Sequence, residues 1–144
     1  MHGGAPAIFD SAGFRFASSI CYDLRFAEMY SYYREQDVDV LLIPAAFLVP
    51  TGKAHWEILL RARAIENQCY VLAAAQGGEH IGQNGVRRST YGRSMIIDPW
   101  GEILEEARTG KSVILSQIQK EKIESVRCQL PMDNHRRFRA GWSW

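Results

Sequence analysis

The sequence predicts an α/β protein built on a layered sheet, and three observations carry that reading. Two nearly unbroken apolar runs, Val40-Leu41-Leu42-Ile43-Pro44 and Cys69-Tyr70-Val71-Leu72-Ala73-Ala74-Ala75, have the length and composition of strands covered on both faces. Between them, from about residue 54 to 68, lies the clearest helical pattern in the chain. A strand–helix–strand–helix–strand order at this spacing is what a layered α/β sheet requires. With 144 residues the chain suits one domain and can bury a real core.

The elements follow in order. Ala7 to Asp10 and Phe14 to Tyr22 read as strands joined by Ser11-Ala12-Gly13, a small-residue turn of hairpin length. Phe26 to Gln36 reads as a helix whose three tyrosines blur the period, and Val38 to Ala46 as a buried strand. In the helix over 54–68, Glu57 falls in the first turn, where it favours the helix dipole and can pair with Arg61; Ile58, Ala62 and Ile65 form the expected inward stripe. The stretch Gly77 to Ser89, with four glycines and Arg87-Arg88, reads as an exposed loop. Tyr91 to Asp98 reads as a strand, and Asp98-Pro99-Trp100-Gly101 matches a type I turn. Glu102 to Glu106 and Ser112 to Ile118 are expected strands around a turn at Thr109-Gly110-Lys111. Lys120 to Leu130 reads as an amphipathic helix with Ile123, Val126 and Leu130 inward, before a polar, aromatic tail.

Composition narrows the function classes. A 47% hydrophobic, 23% charged chain is ordinary globular material, which excludes disordered and fibrous classes. The net charge of +1 gives no reason to expect nucleic acid or an anionic membrane, and the basic cluster His135-Arg136-Arg137-Phe138-Arg139 reads as a solvated tail or subunit contact. Three cysteines without C-x-x-C spacing suggest neither a disulfide framework nor a zinc site, and the four histidines are scattered. No metal and no cofactor is expected. The opening residues lack a signal-peptide pattern and no apolar run is long enough to span a membrane, so the expectation is a soluble cytoplasmic protein; a mitochondrial location would need an upstream segment.

The most informative residue is Cys21, in Ser18-Ser19-Ile20-Cys21-Tyr22-Asp23-Leu24-Arg25-Phe26-Ala27-Glu28. An apolar, β-leaning run ends on this thiol and turns at once into a charged, aromatic helix start. The strand would fix the sulfur, and the amides opening the next segment could stabilise negative charge on it or on an attacked carbonyl oxygen. Position alone leaves two readings open, a nucleophile and a buried structural cysteine. Cys69 opens a buried strand and reads as a small hydrophobe; Cys128 lies off the last helix's apolar stripe and reads as a surface thiol. Arg25 and Glu28 read as a structural ion pair securing the turn. Phe47 and Thr51, at the end of a buried strand, are candidates for lining a substrate pocket, with core packing an equal alternative for Phe47. Trp56 is most simply core. His55 is a candidate base for Cys21 or, more simply, a cap or packing residue.

Ile20 to Glu28 resembles the nucleophile motif of the nitrilase (carbon–nitrogen hydrolase) superfamily. Further blocks match in order: Pro44-Ala45-Ala46-Phe47, Thr51-Gly52-Lys53-Ala54-His55-Trp56-Glu57, Arg61 to Gln68, Ala73-Ala74-Ala75-Gln76, and Tyr91-Gly92-Arg93-Ser94-Met95 through Gly101. The Ala-His-Trp-Glu, Ala-Ala-Ala-Gln and Tyr-Gly-Arg-Ser-Met blocks are most similar to the Nit1 branch, which includes deaminated glutathione amidase; the omega-amidase branch matches less well. One departure is Ala27, where the family usually carries proline. The resemblance implies part of a four-layer α-β-β-α sandwich. It also implies hydrolysis of a small-molecule amide through a cysteine thioester, with Cys21 as nucleophile, the Tyr22 backbone amide as oxyanion donor, no cofactor, and a homo-oligomeric state. In that family a glutamate and a lysine precede the cysteine. The twenty residues before Cys21 contain neither, and Lys53 is a poor substitute. The chain therefore reads as the C-terminal portion of such a domain, without the N-terminal strands and helices, and impaired on its own. The alternatives are a non-catalytic module that self-associates or joins full-length subunits, and a cysteine–histidine hydrolase using His55 or His80.

Overall fold

The computed structural model describes residues 4–82, 84–108 and 110–137. A six-stranded mixed sheet forms the centre, in the order β1 (Ala7–Ser11), β2 (Phe14–Ser18), β3 (Val40–Leu42), β4 (Tyr70–Ala73), β7 (Met95–Ile97), β8 (Ile103–Glu106). Strands β2, β3 and β4 run parallel; the β1–β2, β4–β7 and β7–β8 pairs are antiparallel. A separate two-stranded hairpin, β5 (Gly77–Ile81) with β6 (Arg87–Tyr91), stands outside it. The α/β class is as expected.

The two sheet faces are covered unequally. In register, Ala17, Leu41, Val71 and Ile97 lie side by side on one face. They bury against Tyr30 and Tyr33 of α1 (Ala27–Glu35) and against Leu60 and Ala64 of α3 (Glu57–Asn67), together with Trp56 just before it. On the other face Val40 and Tyr70 meet Ile123 of α4 (Lys120–Gln129), while Phe16, Leu42, Leu72 and Leu104 are only partly buried. The helix α4 is tied down by the buried Asp39 carboxylate, which takes the Lys120 ammonium and accepts from the Arg15 amide at 2.9 Å. A short last helix, α5 (Met132–His135), follows it.

Several elements depart from expectation for identifiable reasons. Gly77 to Ser89 is not a loop but most of the β5–β6 hairpin, whose β5 residues are all exposed. Residues 112–118 carry no strand among the described residues; Val113 and Leu115 are 85% and 81% exposed. The expected strand Tyr91 to Asp98 divides, because Gly92 (φ 70°) and Arg93 (φ 62°) turn the chain from the hairpin into the main sheet. The central helical region starts earlier than the period suggested. Three helical residues, α2 (Val49–Thr51), lead into a π turn over Gly52–Trp56 and then into α3. The expected inward stripe of Ile58, Ala62 and Ile65 is wrong: Ile58 and Ile65 are exposed, and Trp56, Leu60, Ala64 and Asn67 face the core. The Asp98 turn forms as read, with Gly101 N–H donating to Asp98 O at 2.9 Å and the Asp98 carboxylate accepting from Trp100 and Glu102. In α4, Ile123 and Val126 are buried as expected, whereas Leu130 is 46% exposed.

Candidate active site

Strand β2 ends at Ser18, and a 3₁₀ turn over Cys21–Arg25 replaces the α-helix start the sequence suggested. Two anchors hold it. The Asp23 carboxylate accepts from Ile20 N–H at 2.8 Å while Asp23 N–H donates back to Ile20 O, closing the turn around the cysteine. Leu24 is fully buried, and its carbonyl accepts two bonds from the buried Arg63 guanidinium, at 3.1 and 2.9 Å. Charge-assisted bonds of this kind fix geometry as well as adding energy. Arg63 also lies over the Tyr30 ring, and Tyr30 shares a 2.5 Å hydroxyl bond with Ser19.

Cys21 has φ +51°, a left-handed backbone that residues with a Cβ rarely adopt. Its N–H donates to Pro44 O at 2.9 Å. The next amide, Tyr22 N–H, has no hydrogen-bond acceptor among the described residues. Half-buried Cys21 opens onto a cleft of about 490 Å³ lined by Ile20, Pro44, Ala45, Ala46, Ala74, Ala75, Gln76 and Ser94. This is the carboxyl end of the parallel strands, where open α/β sheets place their ligands. Through Ala75, Gln76 and Ser94 the cleft continues into a larger groove of about 930 Å³, whose lining includes His80, Arg93, Arg108 and Lys111. No carboxylate and no lysine lines the cleft around Cys21 among the described residues.

A model of the carbon-nitrogen hydrolase family matches residues 1–128. The chain belongs to the carbon–nitrogen hydrolase family. It is 48% identical over 134 residues to a deaminated glutathione amidase of Synechocystis, covering 92% of this chain and 48% of that protein. The chain thus spans about half the length of the curated relatives it matches. Among solved structures, Saccharomyces cerevisiae Nit3, a nitrilase-superfamily member, superposes with a TM-score of 0.83 at 33% identity, over 94% of this chain and 49% of that one. A Nesterenkonia amidase, solved as a mutant with the acetamide moiety of fluoroacetamide added covalently at its active-site cysteine, superposes with a TM-score of 0.62 at 26% identity, over 74% and 38%. Nitrilase-type membership and fold, both expected from the motifs, are thereby shown.

In this chain the expected site residues divide. Cys21 lines the cleft, and Tyr22 follows it in the 3₁₀ turn with its side chain exposed, outside the lining. Arg25 does not pair with Glu28, which is exposed and joined to no base among the described residues. Arg25 Nη1 instead lies 3.2 Å from His55 Nδ1, and its guanidinium stands 5.3 Å from the Tyr22 ring and 5.2 Å from the Phe47 ring. Two aromatic faces and a ring nitrogen surround the guanidinium in place of the carboxylate. Phe47 is buried against Trp56, edge to face at 5.0 Å, and Thr51 bonds its own turn through Leu48 O; neither lines the cleft. His55 is engaged by Arg25 and His80 by Thr90, so neither sits at the cysteine. Cys69 is fully buried, its thiol pushed up to about 12 by burial, and Cys128 is exposed. Part of the basic cluster, Phe138 and Arg139, lies outside the described residues. Sequence reasoning passed over Asp23, Arg63, Gln76 and Ser94. The Asp two residues after the cysteine was a readable turn signal; a buried arginine bonded across thirty-nine residues was not. Among the described residues no helix is long and apolar enough to cross a membrane, and no group of three His, Cys, Asp or Glu converges as a metal site.

Proposed function

We propose that this chain carries the nucleophile half of an amidase acting on a linear amide of the deaminated-glutathione or ω-amide kind, with Cys21 as nucleophile and Tyr22 N–H as oxyanion donor. The observation that carries it is the conjunction at Cys21: a left-handed backbone just past a strand end, an open cleft beside the thiol, and an amide one residue on with no acceptor among the described residues. Backbone strain of this sort persists where the surrounding structure imposes it, as at catalytic turns. Relatives named deaminated glutathione amidase and the covalently modified cysteine of the Nesterenkonia amidase support the same chemistry. The sulfur adds to the amide carbonyl, the C–N bond breaks, and the nitrogen leaves as ammonia with the thiol proton. Water then adds to the thioester, releasing carboxylate and restoring the thiol. Arg25, held by Phe47, Tyr22 and His55, fixes the turn that presents Tyr22 N–H.

Both steps need a base and a cation near the carbonyl, and the cleft's described lining supplies neither. The reading therefore includes slow turnover by this chain alone. Ammonia release from an ω-amide is expected orders of magnitude below that of a full-length relative, and absent in Cys21→Ala. Equal release by the two forms would sink the cysteine mechanism, and release at the full-length level would sink the impairment.

A second reading has its own observation. The half-buried sheet residues Phe16, Leu42 and Leu72, with Val113 and Leu115 exposed nearby in sequence to β8, leave apolar surface uncovered. Such a chain would associate with itself or with full-length subunits. A monodisperse monomer by light scattering would count against it.

A further inference from the structure

The block Tyr91-Gly92-Arg93-Ser94 is unused by the chemistry above, yet its Ser94 lines the Cys21 cleft and the other three line the adjoining groove. The antiparallel ladder between β4 and β7 ends at Ala73 opposite Met95. One step further, Gly92 and Arg93 turn the backbone with φ 70° and 62°, and the pairing lapses at Ala75 before Gly92 N–H donates to Gln76 O at 3.1 Å. Ser94 replaces it with a side chain: Ala75 N–H donates to Ser94 Oγ at 2.9 Å, while Ala107 N–H donates to Ser94 O at 2.8 Å. Ser94 thus joins the end of β4 to the end of β8 where the ladder is interrupted.

The same stretch is bonded through to the cysteine. Gln76 N–H donates to Ala45 O and Ala45 N–H to Ala74 O, both at 2.9 Å, and Cys21 N–H donates to Pro44 O at 2.9 Å. Ser94 is thus linked to residues 74–76, these to Ala45, and the adjoining Pro44 to Cys21, hydrogen bonds between segments alternating with the chain itself across the cleft floor. Arg93 is held in its strained backbone by four partners. Its guanidinium meets Glu106, the Tyr91 hydroxyl at 2.8 Å and Glu57 at 3.3 Å, and its carbonyl accepts from Trp56 Nε1 at 2.7 Å.

We propose that Ser94 is a positioning residue for Cys21: its hydroxyl holds the 74–76 wall against which an amide is presented to the sulfur, and it does so by substituting for a missing ladder bond. The inference rests on the amidase reading, and its test separates the two. The chain contains its own reporters, with Cys21 in the cleft, Cys69 fully buried and Cys128 exposed on α4. Iodoacetamide is a small amide that alkylates a thiolate with loss of iodide. Its rate at each cysteine is read by peptide mass spectrometry on the unmutated chain, Ser94→Ala and Ser94→Thr.

In the unmutated chain Cys21 should react faster with iodoacetamide than Cys128 does, and this preference should shrink for the uncharged, amide-free reagent methyl methanethiosulfonate. Ser94→Ala should lower the Cys21-to-Cys128 ratio for iodoacetamide by about fivefold, the worth of one hydrogen bond, with Cys69 still unlabelled. Ser94→Thr, which keeps the hydroxyl, should restore it to within about twofold of the original. No amide preference at Cys21 in the unmutated chain defeats the amidase reading and this inference with it. A preference that survives Ser94→Ala, or one that Ser94→Thr fails to restore, overturns the inference alone. Should Ser94→Ala expose Cys69, the Ala75 amide decides: in the unmutated chain it should exchange hydrogen slowly, and exchange at the rate of an unprotected amide overturns the proposal.

Discussion

Cys21 stands at φ +51°, and the cost of that conformation depends on its Cβ. In a residue with a side chain the left-handed region costs about 1–2 kcal/mol, which glycine avoids. Glycine loses part of that advantage through the entropy of the unfolded chain. Cys21→Gly should therefore be more stable than Cys21→Ala by about 0.5–1 kcal/mol, read as a higher midpoint in urea, although both lack the thiol. Equal midpoints would mean that the turn relaxes when the sulfur is removed and that no strain resides there. The nucleophile candidate was legible in the sequence because strand, thiol and charged turn are contiguous. The residues that fix it were not, since Arg63 and Ser94 reach its surroundings from elements far along the chain, across contacts no local pattern encodes.

The helical stretch from Val49 to Asn67 shows what periodicity can and cannot choose at the scale of an element. Two stripes of this amphipathic segment are compatible with burial, and the apolar one through Ile58 and Ile65 is the more conspicuous in sequence. The structure buries the other, through Trp56, Leu60, Ala64 and Asn67, and most of the polar groups on that side are bonded internally, Asn67 Oδ1 being the exception. Arg63 donates to Leu24 O and pairs with Glu66 at 2.5 Å, and Asn67 Nδ2 donates to Arg63 O at 2.8 Å. Hydrogen-bonded polar groups can be buried at little net cost, so hydropathy alone points to the wrong face. The buried parallel strands and the Asp98 turn were legible, since run length and turn chemistry are local signals. The β5–β6 hairpin was hidden by its glycines and lack of apolar alternation. The π turn in the same stretch has a close contact behind it: a Cβ on Gly52 would lie 2.3 Å from Tyr91 Cβ. Gly52→Ala must shift the helix or the start of the Tyr91–Ser94 block, and should destabilise the fold by about 1–3 kcal/mol. A thermal midpoint unchanged from the parent would show that the approach is not close in solution.

For the molecule as a whole, the buried acids decide how the fold responds to alkali. Cys69 is fully buried and its thiol is pushed up to about 12, chiefly by desolvation, against about 9 when exposed. Tyr33 is likewise pushed up to about 12 from 10 by burial, and Tyr30 is raised further still. Each group is held in its protonated form by the fold, while the unfolded chain releases the proton at the ordinary value. Stability from these groups is fully present below the unfolded values and falls as pH rises through the interval up to the folded ones. The thiol acts first, because its window opens near pH 9, below that of the tyrosines near pH 10. Between about pH 9 and 10 the native state should lose about 1 kcal/mol on this account, since a tenfold difference in proton affinity between folded and unfolded chains corresponds to about 1.36 kcal/mol. Cys69→Ala removes the titrating group and leaves a small cavity, which lowers stability at every pH but should flatten the slope over that same interval. Urea midpoints under reducing conditions, taken at about pH 7, 8, 9 and 10, test it. Parallel curves for the two proteins would show that the Cys69 thiol already meets solvent, and that the contact between α3, β4 and α4 around it is looser than its burial implies.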